Sequence, residues 1–202
     1  MTDIFIRPNG TKKDEEYVHM LSDFCTNPLG VSFVEQEPDE KILLFLRRHF
    51  STNAPWLFIT LILLLIPVFA FIFGFELQIL ESFNLPGGFI FIFTILYYLV
   101  VFSYAFVNFI TWFYSVFLVT QKRIVDIDYS NIVIHNVAFT KLSHVQDVNY
   151  TQSGFIRSLF NYGDVFAQTA GTETNFEALS VPQPRRATQI IADLIGKEAH
   201  AA

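Results

Sequence analysis

From Phe50 to Gln121 the chain is apolar almost without interruption: its 72 positions hold two charged residues, Glu76 and Glu81. These acids separate a charge-free run of 26 residues, Phe50 to Phe75, from one of 40, Ser82 to Gln121. A helix that crosses a hydrocarbon core about 30 Å thick needs roughly 20 apolar residues, and both runs exceed that length. The pattern predicts a two-helix transmembrane hairpin over residues 50–111, with spans at 56–75 and 89–111. The external link, 76–88, is closed by Pro86, Gly87 and Gly88. Pro67 predicts a bend in the first span. Ser103 and Asn108, the polar exceptions in the second, predict hydrogen bonds from helix to helix.

Beyond residue 112 the pattern changes to short alternating runs. Residues 112–121 are rich in β-branched and aromatic side chains, which places a strand within a few residues of the second span. In Arg123 to Tyr129, Val125, Ile127 and Tyr129 alternate with Asp126 and Asp128, which predicts a half-buried strand with the two aspartates on the solvated face. Ser130 and Asn131 supply a turn, and 132–139 returns. Residues 142–152 predict a further strand with Val145, Val148 and Tyr150 as core contacts and an irregularity between Val145 and Val148. Residues 154–162 read as a compact connector with one helical turn that buries Phe155 and Leu159, and 163–169 with 174–181 as the last hairpin. The closing helix opens near Pro184, carries Ala187, Ile190, Ile191, Leu194 and Ile195 on one face, and is expected to end at Gly196. The fold expected for 112–196 is a small antiparallel β-barrel, partly closed and capped by a C-terminal α-helix, with 197–202 as a tail. Val125, Ile127, Val148, Ile190, Ile191 and Leu194 form its predicted core and cap.

Ahead of the hairpin, 1–49 reads as a separate segment. Tyr17, Met20, Leu21 and Phe24 recur at helical spacing, which predicts a short amphipathic helix within 11–26 that docks on protein, its polar face being mostly acidic. An acidic connector, 30–40, follows. Residues 41–49 (KILLFLRRH) fit either a strand against the soluble domain or an interfacial helix, and periodicity does not separate the two.

Charge adds orientation. Lys41, Arg47 and Arg48 precede the hairpin, Lys122 and Arg123 follow it, and the link holds no basic residue, so the positive-inside rule puts both ends in the cytoplasm. Trp56 and Trp112 then fall at one membrane interface, where Arg47, Arg48, Lys122 and Arg123 act as topology determinants or reach lipid phosphates. The net charge of −6 is spread so that 7 basic residues face 8 acidic ones from Lys122 onward, which offers no basic stripe for nucleic acid. A single cysteine, Cys25, excludes an intramolecular disulfide, and the start of the chain lacks the pattern of a cleavable signal peptide.

Catalytic and cofactor chemistry finds no frame. Asp126 and Asp128 lie two apart on a strand, which favours solvated carboxylates over a metal pair. His135 and His144 have no cysteine or carboxylate at ligand spacing, Ser143 is adjacent to His144 in sequence only, and Gly163 belongs to no phosphate loop. No enzyme, metal or cofactor is expected.

The segments FLVTQKRIVDID (117–128), LSHVQDV (142–148), SLFNYGDVFAQTAG (158–171) and VPQPRRATQII (181–191), with DEKILLFLRRH (39–49) before the hairpin, resemble the bacterial pleckstrin-homology-like (PH-like) domains of the membrane-anchored type. The resemblance covers roughly residues 33–196. It implies a PH-like fold and a multi-pass protein of the inner membrane. With no catalytic set and balanced charge, the expected function is a non-enzymatic binding module at the cytoplasmic face, whose partners are the lipid bilayer and a membrane protein or further copies of itself. The alternatives are an accessory subunit of a larger membrane complex and a weak sensor of anionic lipid headgroups.

Overall fold

In the computed structural model the described residues are 16–19, 21–76, 86–129, 135–169 and 176–201. They fall into two compact units. One holds residues 53–111, and the other joins the segment up to Thr52 with the chain from Trp112 onward.

The first unit is a pair of helices, α1 (Ala54–Glu76) and α2 (Gly87–Tyr114), whose last turn belongs to the second unit. Both are long and apolar enough to cross a membrane. Pro67 lies inside α1 and has no N–H to give the carbonyl of Leu63, four residues back. The Tyr97 hydroxyl of α2 donates to that carbonyl at 2.8 Å, and Tyr98 donates to the carbonyl of Leu64 at 3.4 Å. The helices are thus fastened at the position the proline leaves unbonded. Ser103 and Asn108 do not make the helix-to-helix bonds expected of them. Ser103 Oγ donates to Leu99 O and Asn108 Nδ2 to Tyr104 O, both at 2.8 Å within α2, because a carbonyl one turn back is the nearest acceptor.

The second unit is built on a five-stranded antiparallel sheet in the order β2-β4-β5-β6-β7. These strands are β2 (Phe24–Thr26), β4 (Ile42–Arg47), β5 (Val116–Thr120), β6 (Arg123–Tyr129) and β7 (His135–Lys141). The 41–49 block is therefore a strand, and it pairs across the hairpin: Phe45 faces Leu118 and Leu46 faces Phe117. β5 is central and all five of its residues are buried, as expected for a strand covered on both faces. A two-residue parallel ladder joins β1 (Glu16–Tyr17) to β3 (Pro28–Leu29). The amphipathic helix expected within 11–26 is absent from the described part of that stretch, which forms β1 and β2. Pairing with β4 outweighs a helical period only two turns long.

The second sheet is three-stranded, β10-β9-β8, with β8 (Val145–Thr151), β9 (Tyr162–Thr169) and β10 (Phe176–Pro182). A 3-10 turn, Leu142–His144, leads into β8, and the expected irregularity there is a register shift between Val145 and Asp147. Helix α3 (Phe155–Leu159) connects β8 to β9, and α4 (Pro184–Ala201) closes the chain, running through Gly196 without ending there. The expected turns at 130–131 and 170–172 lie outside the described residues. Gly163 has a packing role: a Cβ there would come within 2.5 Å of Thr151 O on the neighbouring strand. No ladder joins the two sheets among the described residues; they pack as facing layers around the first core, and closure of the partly closed barrel expected is not shown.

Two cores result, one on each face of the five-stranded sheet. The first packs Leu44, Leu46, Val119 and Ile124 against Val148, Val165, Val181, Ala187 and Ile191, with Ile190 and Leu194 partly buried at its margin. The second packs Val125 and Ile127 with Phe45 and Leu118 against Val18, Val31 and Phe33 of the N-terminal segment. Val125 and Ile127 were expected to share one core with Ile191; they lie on the opposite face. A domain boundary at 112 would cut this sheet in two, since β2 and β4 come from before the hairpin.

Candidate functional site

The turn between β5 and β6 carries Lys122 and Arg123, and its shape is set by Thr120. The Thr120 hydroxyl oxygen accepts from the backbone N–H of Lys122 at 3.1 Å and of Arg123 at 3.0 Å, and donates to Glu40 Oε1 at 2.6 Å. Glu40 is 3 % exposed and is held bidentately, Arg123 Nε donating to Oε1 at 2.9 Å and Nη2 to Oε2 at 2.8 Å. Burial by itself would raise the Glu40 carboxyl. The hydrogen bonds from Arg123, Thr120 and the Glu37 backbone, with the Arg123 charge, bring it down to about 2. The Arg123 guanidinium also lies 5.4 Å from the ring centres of Phe33 and Phe139 and donates to Glu35 O at 2.7 Å. Lys122 pairs with Glu37. The acidic connector thus supplies the counter-charges of both cations. Beside them opens a groove of about 560 Å³ lined by Glu37, Lys122, Arg123, Phe139, Thr140, Lys141, Ser143 and His144.

A second cluster sits where β4 ends and β5 begins. Arg47 and Trp112, expected at a lipid interface, are packed inside the β unit, 5 % and 4 % exposed. The Arg47 guanidinium lies 4.5 Å from the ring centre of Phe113 and 5.5 Å from that of Trp112, and Nη1 reaches Ser22 O at 3.4 Å. Burial lowers Arg47 to about 10, with Asp23 opposing, so it stays a cation at neutral pH. The Trp112 indole N–H donates to Arg48 O at 2.8 Å, and Arg48 pairs with Asp128 at 3.1 Å. Trp56 donates to Asn53 Oδ1 at 3.0 Å.

Asp126 shares its strand face with Ile124, whose side chain lies in the core between the sheets. The solvated face expected for Asp126 and Asp128 is therefore the inner side of the sandwich, near its rim. A cavity of about 60 Å³ there is lined by residues including Arg48, Asp126, Asp128 and Glu177. Burial pushes the Asp126 carboxyl up to about 6, Asp128 and Glu177 adding to the effect and Arg48 opposing it.

Helix α3 also departs from expectation. Phe155 and Leu159, expected to be buried, are 81 % and 65 % exposed, and Ile156 and Phe160 are exposed with them. The reason is that the polar groups of this turn bond inward. Arg157 pairs with Asp164, Gln152 Nε2 donates to Arg157 O at 3.0 Å, and Asp164 Oδ1 accepts from the backbone N–H of Ser180 at 2.7 Å.

A family model, the bacterial PH domain, matches residues 54–195. The chain belongs to that family. The two antiparallel sheets with their closing helix fit a PH-like domain, and the match extends back over both long helices. No curated protein and no solved structure matches the chain. PH-like domains are in general non-catalytic binding modules. The clusters above are ion pairs and aromatic contacts, and no three His, Cys, Asp or Glu gather as a metal group among the described residues. Sequence reasoning missed Glu40, Thr120 and the inward side of Asp126. The usable signal was charge complementarity between the acidic connector and the Lys122–Arg123 turn.

Proposed function

We propose that this PH domain is a membrane-anchored binding module. Its helical pair spans the inner membrane, its β unit lies at the cytoplasmic face, and it recognises another membrane protein or further copies of itself. The observation that carries the reading is the β4–β5 ladder. Strands from either side of the helical pair share one sheet, with Arg47 opposite Val116, so a membrane between them would have to be crossed an even number of times. Lys41, Arg47, Arg48, Lys122 and Arg123 flank the helices and the link has no basic residue, which supports the cytoplasmic side for the sheet. A protein partner is favoured over an anionic headgroup because Arg48, Lys122, Arg123 and Arg157 are each matched to a carboxylate. Headgroup recognition is the second reading, supported by the groove beside Lys141 and His144.

Reporters fused before Met1 and after Ala202 are expected to read cytoplasmic, and a tag at Asn84 to be reached from outside. A periplasmic C-terminus would overturn the topology. Crosslinking in intact membranes is expected to capture a protein partner equally well from wild type and from the Lys122→Ala, Arg123→Ala double variant. Selective binding of one headgroup by the full chain, abolished in that variant, would replace protein recognition with lipid recognition.

A further inference from the structure

Helix α3 is amphipathic in the reverse of the usual sense. On a water-facing turn the apolar residues point inward and the charge outward; here Arg157 is tied to Asp164 while Phe155, Ile156, Leu159 and Phe160 are exposed together. Four large apolar side chains on six residues, fixed outward by a network of part-buried bonds, suit an apolar medium. Their place in the β unit indicates which one. His49 stacks on Tyr162 at 5.1 Å, lies 6.5 Å from Phe160, and donates its backbone N–H to Ser180 O at 2.7 Å. His49 is three residues before Thr52, where the chain leaves the β unit for α1. Phe50, 55 % exposed, adds to the apolar surface at this exit and meets Trp112, the residue at which the chain re-enters.

We propose that α3 is a membrane-inserting wedge: Phe155, Ile156, Leu159 and Phe160 enter the interfacial layer of the bilayer that the helical pair spans. The inference rests on the membrane reading of that pair and adds a second point of attachment to the bilayer. Lipid is the occupant chosen for two reasons. The patch adjoins the chain's exit toward α1, and a protruding single turn suits fluid hydrocarbon, whereas a partner helix would seek a groove. The cation of α3 is neutralised by Asp164, so insertion is driven by apolar burial and is indifferent to headgroup charge and to salt.

The test uses the full chain in phosphatidylcholine vesicles, with an environment-sensitive fluorophore on Phe155→Cys or Leu159→Cys. Labelled wild type gives the background from Cys25, which is 1 % exposed. Gln168→Cys, exposed on β9 six residues beyond Tyr162 and so about 20 Å along the strand, is the water-facing control. Ile95→Cys, in the first half of α2, reports on the helical pair. The expected result is severalfold stronger quenching of the two α3 labels by lipid spin-labelled near the headgroup than by aqueous iodide. The Gln168 label is expected to show the reverse, and the Ile95 label to be quenched by lipid spin-labelled deep in the acyl chain. If Ile95 responds to deep lipid and the α3 labels respond to iodide, the wedge is overturned and the membrane reading stands. Shielding of the α3 labels from both quenchers would overturn it in favour of a protein or a second copy on the patch. An Ile95 label that no lipid quencher reaches would overturn the membrane reading and the wedge with it.

Discussion

The β unit and the helical pair are made of the same kinds of side chain and dispose of them in opposite ways. In the β unit, Leu44, Leu46, Val119 and Val165 are fully buried, and the ionic groups inside it, Glu40 above all, are matched by hydrogen bonds. In the helical pair, Phe58, Phe93 and Phe102 stay mostly exposed, and the bonds between helices run from Tyr97 and Tyr98 to backbone carbonyls. The first set gains its stability by leaving water. The second leaves its apolar surface uncovered among the described residues, which suits helices long and apolar enough to cross a membrane. The β unit therefore carries its own core, and substitutions there should act much as in a water-soluble domain.

The strongest way to break that contrast is Ile191→Asp. Ile191 is fully buried where α4 closes the first core, and an unpaired carboxylate there should cost about 3–5 kcal/mol, against a typical stability of about 5–15. The cooperative melt of the β signal of the full chain in detergent is expected to disappear while helicity from the apolar pair persists. An unchanged melt would mean that α4 is not part of the core.

Next in size is Glu40→Ala, which leaves Arg123 and Thr120 without their shared acceptor and should cost about 3 kcal/mol at pH 7. The ionised Glu40 is favoured by the fold, so its contribution is present above pH 4.5, its ordinary value, and is lost as pH falls through about 2. Wild type should lose stability across that interval and the variant should not, in denaturant titrations at stepped pH.

Asp126→Asn should act with the opposite sign. The Asp126 carboxyl is raised, so the fold favours its protonated form: the benefit is complete below pH 3.8 and is lost as pH rises through about 6. At pH 7 the asparagine variant is expected to be more stable by on the order of 2 kcal/mol, and the wild-type decline between pH 4 and 6 should vanish. A destabilised variant would show that Arg48 holds Asp126 as an anion.

The smallest effect belongs to the helical pair. Tyr97→Phe removes the donor to Leu63 O and should cost roughly 0.5–2 kcal/mol of helix association, read by thermal unfolding in nanodiscs. In a Pro67→Ala background residue 67 regains an N–H for that carbonyl, so the cost of Tyr97→Phe should shrink. An equal cost in both backgrounds would disconnect the tyrosine from the proline.

The elements that were legible are those with short, local signals. The charge-free runs marked α1 and α2, alternation set the bounds of β6, and Pro184 marked the start of α4. Misreadings arose where a residue's partner lies far away in the chain. Whether KILLFLRRH was strand or helix depended on β5, some 70 residues on. Asp126 looks solvated until β10 is laid over it. Phe155 and Leu159 look buried until Arg157 is seen to take the inward side through Asp164.

By itself the sequence determined that the chain holds two segments long and apolar enough to cross a membrane, a β-rich region after them and a closing amphipathic helix, because hydrophobic period and run length act over a few residues. Only the tertiary structure decided that the β unit is assembled from both sides of the helical pair, that Arg48, Lys122, Arg123 and Arg157 are matched by its own carboxylates, and that α3 turns its apolar face outward. Those outcomes depend on which strand lies beside which and on which charge finds its counterpart first, and both are settled by pairing across the whole length of the chain.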